Sequence, residues 1–108
     1  MKTLMVSMAL SCLFLMPTAT SADMLELAKE KQCLSCHGQD DMTPRAPAFS
    51  SIAQKYSGEM HDYLVQVVLS GGEEHWGSAI MPEPGVRPEV SEEEARQLVD
   101  WILAMRKE

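Results

Sequence analysis

Cys33-Leu34-Ser35-Cys36-His37 holds two thiols three positions apart, with an imidazole directly after the second. On one helical turn Cys33, Cys36 and His37 stand at i, i+3 and i+4, so all three project from nearly one face. Such a face suits one flat cofactor: each thiol can add to a vinyl group at a porphyrin edge while the imidazole reaches the iron. This spacing is that of a c-type haem attachment site. Other chemistries also use paired thiols. A redox dithiol should open a helix after a strand, whereas the residues before Cys33 read as helical. A zinc site lacks its second ligand pair, because no cysteine follows Cys36 and His61 and His75 are not at zinc-finger spacing. A structural disulfide is the remaining alternative.

A haem held through His37 has a second axial face, and what fills it separates electron transfer from ligand chemistry. The candidates are Met24, Met42, Met60, Met81, Met105, His61 and His75. Met24 and Met105 fall in expected helices, where a flexible apolar side chain fills core space. Met42 lies only five residues beyond His37, an awkward reach to the opposite face of a ring. Met81 lies 44 residues past His37 in an irregular stretch and is followed by Pro82, whose stiff backbone can aim a thioether. Met81 is the expected ligand; a histidine or an open position is the alternative.

Residues 1–22 have the character of a signal peptide: Lys2, an apolar run from Leu4 to Met16, and Thr20-Ser21-Ala22 before the expected cut. Cys12 falls inside this run, with Leu10 one position away from where lipidation would want it. The apolar run is too short for a comfortable membrane span. Export to the periplasm fits covalent haem and leaves no thiol outside the motif. The remaining domain, 23–108, carries eight Lys and Arg against sixteen Asp and Glu, a formal charge of −8. That surface excludes nucleic acid as a partner and favours a redox protein with a basic patch. So small a domain has little apolar core of its own, and the haem-free chain is expected to be largely unfolded.

The elements that must position these groups read as helices. Asp23 to Lys31 carries a capping box of Asp23 and Glu26 and an apolar stripe running into Cys33, with Gly38 as a positive-φ stop. Gln39 to Ala48, with Pro44 and Pro47, is an extended loop. Phe49 to Tyr56 is a short helix ended by Gly58; a third opens at Met60 or His61, with Tyr63, Leu64, Val67 and Val68 facing the core, and closes at Gly71-Gly72. Glu73 to Val90 has no sustained period and reads as a long functional loop. Ser91 to Lys107 is the clearest helix, with a Ser91/Glu94 capping box, a stripe of Ala95, Leu98, Val99, Ile102 and Leu103, and Arg106 and Lys107 at its end. Trp101 flanks the stripe as packing. Glu92, Glu93 and Glu94 sit in a first turn, where the helix dipole accounts for them, and no catalytic constellation appears.

The chain resembles the small bacterial class I cytochromes c of the c-551/c-552 group over essentially all of residues 23–108. The likeness rests on Leu25 to His37, Ala46 to Tyr56, Trp76-Gly-Ser-Ala-Ile-Met-Pro, and Leu98 to Leu103. It implies an all-α class I cytochrome c fold, about four short helices wrapped around one haem c, with thioethers at Cys33 and Cys36 and axial ligands His37 and Met81. It further implies that the Pro47 carbonyl accepts the other ring N–H of His37 and that Trp76 donates to a haem propionate. Three features depart from the pattern. Ala46 stands where Gly is common. Val67 or Val68 stands where the family can carry a basic residue near the propionates, with His75 as a substitute. Pro82 to Glu89 is longer than usual.

The function so implied is that of a periplasmic mono-haem electron carrier, a monomer that is not an enzyme and has no membrane span once the signal is removed. A haem subunit of a periplasmic dehydrogenase and a haem-based ligand sensor are the alternatives.

Overall fold

The computed structural model describes residues 19–73, 76–77 and 80–107. Thr20 caps the first helix, α1 (Ser21–Glu30): its hydroxyl accepts from the Asp23 N–H, and the Asp23 carboxylate accepts from the Thr20 N–H. The capping box expected at Asp23 and Glu26 is thus replaced by one beginning at Thr20. Glu26 pairs with Lys29 instead, at 3.2 Å. The expected boundary between Ala22 and Asp23 falls in the first turn of this helix, and residues 1–18, Cys12 among them, lie outside the described residues.

α1 does not run on into the thiol motif. Lys31 closes it, and Gln32 adopts a left-handed φ of 61°, uncommon for a residue with a side chain. The chain therefore turns before a short 3-10 segment, Cys33–Ser35. Gly38 follows without the positive φ expected of it; glycine is required there because an added Cβ would meet the Asp41 carbonyl oxygen at 2.1 Å.

Residues 39–48 form an irregular loop that returns to the motif. At its end the Phe49 N–H donates to the Gly38 carbonyl at 2.8 Å and the Ser50 N–H to the Gln39 carbonyl at 2.9 Å. These bonds satisfy N-terminal donors of α2 (Phe49–Lys55), whose N-cap, Ala48, has no side-chain acceptor. α2 ends at Tyr56, in extended conformation, rather than at Gly58, which opens a second 3-10 turn, Gly58–Met60. α3 (His61–Ser70) follows and ends at Gly71. α4 (Glu92–Leu103) has the reciprocal Ser91/Glu94 cap expected of it, but stops at Leu103, so Arg106 and Lys107 lie beyond its last turn.

α4 packs against α1, α2 and α3. Its Ala95, Leu98, Val99 and Ile102 form one cluster with Ala28, Phe49, Leu64, Val65 and Val90. Each large side chain fully buried there contributes about 1.5–3 kcal/mol. The buried face of α3 keeps the expected Leu64 and Val67 but differs at one edge: Tyr63 is 43% exposed and Val65 only 1%. Between α3 and α4 the irregular segment contains a two-residue antiparallel ladder, β1 (Gly72–Glu73) with β2 (Ile80–Met81), which pairs Gly72 with Met81 and Glu73 with Ile80. Strands this short leave no alternation to read in a sequence. Among the described residues no helix is long and apolar enough to cross a membrane.

Candidate functional site

On the thiol turn, the Cys36 and His37 N–H groups both donate to the Cys33 carbonyl, at 3.2 and 2.9 Å. One helical turn therefore keeps the i, i+3, i+4 relation even though α1 has ended. The Thr43 hydroxyl donates to the Cys36 carbonyl and accepts from the Ala46 N–H at 3.2 Å, tying the following loop to the turn. That tie brings the buried Pro47 to His37: the ring Nδ1–H donates to the Pro47 carbonyl at 2.7 Å. A proton fixed on Nδ1 leaves the Nε2 lone pair as the free donor atom.

The His37 ring also stacks on Phe49, centroids 5.1 Å apart and planes 25° apart, and Trp101 meets Phe49 edge-on at 5.6 Å. Burial pulls the His37 pKa down and so favours the neutral imidazole that a metal requires, with the hydrogen bond to Pro47 opposing it. Thr43 and the role of Phe49 were not legible beforehand. Phe49 has the spacing of a core residue, and nothing marks Thr43 within a loop of polar residues.

Cys33 and Cys36 are free, half-buried thiols. Burial pushes the Cys33 thiol pKa up, against the opposing charges of Arg87 and Lys31; a dithiol redox nucleophile needs the reverse. Two thiols on one turn beside an imidazole with Nε2 free are the donor set that covalent haem requires.

The rival axial candidates are otherwise engaged. Met24 is a core residue at 7% exposure, and Met60 and Met105 pack against the central cluster. The Met42 sulfur accepts from the Ala48 N–H at 3.5 Å and the Ser51 hydroxyl at 3.4 Å, at the start of α2. His61 lies between carboxylates, 3.1 Å from Asp62 and 2.8 Å from Asp100. His75 lies outside the described residues. Met81 is half-buried and sits on β2 against the end of α3, where an added Cβ on Gly71 would meet the Met81 carbonyl oxygen at 2.6 Å.

Trp76 packs against Tyr56 at 6.2 Å between centroids, with the Lys55 ammonium 4.4 Å from its own ring centroid. A second cation, Arg87, reaches α3 at the Val68 carbonyl, beside the positions where Val67 and Val68 stand in place of a basic residue. No spacing rule could have found Arg87, because its segment has no period.

The cytochrome c family model matches residues 25–106. Cytochrome c-552 of Hydrogenobacter thermophilus is 38% identical over 85 residues, covering 75% of this chain and 80% of the relative. Cytochrome c-551 of Pseudomonas denitrificans is 34% identical, covering 75% and 95%. The crystal structure of Nitrosomonas europaea cytochrome c552 superposes with a TM-score of 0.67 at 32% identity, covering 76% of this chain and 99% of that one. A four-helix frame, a thiol turn beside a prepared imidazole and these relatives agree: the chain belongs to the cytochrome c family, as a small all-α member binding one covalently attached haem c and carrying electrons.

Proposed function

We propose that this protein is a periplasmic one-electron carrier with Cys33 and Cys36 as the thioether anchors and His37 and Met81 as the axial ligands. The observation that carries the reading is the 2.7 Å hydrogen bond from His37 Nδ1 to Pro47, which holds the ring and leaves Nε2 for the metal. When bound, the haem supplies an iron that changes between ferric and ferrous states. His37 would hold the iron through Nε2, with Phe49 and Pro47 restricting the rotation of its ring. Met81 would supply a soft sulfur as the second ligand, and thioether ligation of this kind raises the reduction potential. Trp76, flanked by Lys55, is the donor to a propionate. With His37 and Met81 both retained, single electrons would be exchanged with a docked protein without opening a ligand position.

The acidic surface of the domain suits a partner with a basic patch, in an encounter weakened by salt. Lys2, the apolar run and Thr20-Ser21-Ala22 support residues 1–22 as the export signal, with 23–108 as the working domain.

The test is the optical spectrum of protein made in a host able to attach c-type haem. Narrow low-spin bands with the weak far-red iron-to-sulfur band in the oxidised state, and loss of that band in Met81→Ala, are expected. Low-spin bands without the far-red one would move the ligand to His61 or His75. A high-spin spectrum would favour ligand sensing.

A further inference from the structure

The Met81 arm leaves β2 through Pro82 and makes a turn that brings the chain back on itself. The Val86 N–H donates to the Glu83 carbonyl at 3.3 Å, and the Gly85 N–H donates to the Arg87 carbonyl at 3.0 Å. The turn places Arg87 beside the residue that follows Met81. Arg87 Nε–H donates to the Pro82 carbonyl at 2.7 Å, one Nη donates to the Val68 carbonyl, and the other reaches its neighbour Pro88.

Val68 lies in the last turn of α3, whose final four carbonyls have no partner within the helix. A guanidinium there satisfies one of them and meets the negative end of the helix dipole. The same planar group grips the Met81 arm, so one side chain joins two backbone segments that otherwise meet through the short ladder and the Gly71 contact. Arg87 is half-buried, which limits competition from water for these bonds.

We propose that Arg87 is the positioning residue for the axial methionine: it locks the Met81–Pro82 arm to the C-terminal turn of α3 and keeps the thioether from being displaced. The inference rests on Met81 as ligand. Without Arg87 two carbonyls lose a charged donor, and the state with the arm swung away becomes more populated. An exogenous ligand that binds only that state then binds more tightly in the same proportion.

The experiment titrates ferric holoprotein with imidazole, following the far-red band, and measures the reduction potential of the same samples. Arg87→Gln is expected to bind imidazole about tenfold or more tightly than wild type and to have a lower potential, with helical circular dichroism unchanged. Arg87→Lys, which keeps the charge but has no planar fork, should fall between the two. Imidazole affinity in Arg87→Gln within twofold of wild type, with the potential unchanged, would overturn the proposal. Should that variant fail to fold, Arg87→Lys decides: raised affinity supports it and wild-type affinity overturns it. A wild-type protein lacking a far-red band would overturn the Met81 reading itself and this inference with it, an outcome distinct from failure of the Arg87 variants alone.

Discussion

The two sides of the proposed haem site are built in opposite ways. His37 belongs to a five-residue motif in which both thiols and the imidazole share one turn, and its support, Pro47, lies ten residues away. Met81 arrives 44 residues after His37 on a two-residue strand, and its supports are Gly71, Gly72, Val68 and Arg87. The first side is secured by local geometry. The second is secured by contacts between segments that must already be folded, so it is the side on which a small defect is felt at the iron. Local opening of this kind costs less than global unfolding, and it concentrates where few apolar contacts hold a segment.

Removing the anchors tests the local side with the largest expected effect. Replacing both Cys33 and Cys36 with Ser should yield a chain with no covalent haem and little helical circular dichroism, because the apolar cluster is too small to stand without the macrocycle. A cooperative thermal transition in that variant would show that the core suffices by itself.

Gly71→Ala tests the distant side. Gly71 has a φ of 81° and ψ of 177°, a region open essentially to glycine alone, and the new Cβ would press on the Met81 carbonyl. A loss of about 1–3 kcal/mol in denaturant unfolding is expected, together with a weaker far-red band. Stability lost with the band intact would mean that the arm tolerates the shift.

The smallest effect is expected away from both sides. Ser91→Ala removes the hydroxyl that accepts from the Glu94 N–H at the start of α4 and should cost about 1 kcal/mol. Its spectrum and potential should match those of wild type; a changed potential would mean that α4 couples to the iron more directly than its packing suggests.

Regions differed in legibility for the same reason. The α4 cap and stripe were readable because a helix places residues i, i+3 and i+4 together whatever surrounds it. The cap of α1 was misplaced by three residues because Asp23 serves equally well as a cap or as the N3 partner of Thr20. On α3 the expected Leu64 and Val67 are buried, but Tyr63 and Val65 both fit an apolar stripe there, and only packing against α4 selects Val65.

The sequence by itself determined the cofactor, the all-α class and the residues proposed to hold the iron, since each depends on residue type at short spacing or on a motif that names its ligand. Only the tertiary structure decided what holds those residues still. Gln32 redirects the chain before Cys33, Phe49 stacks on His37, Met42 turns its sulfur to α2, and Arg87 bridges Pro82 to Val68. The first is a single left-handed backbone angle, and the others are contacts between a side chain and a segment whose place is set by the rest of the fold, so no local pattern could have announced them.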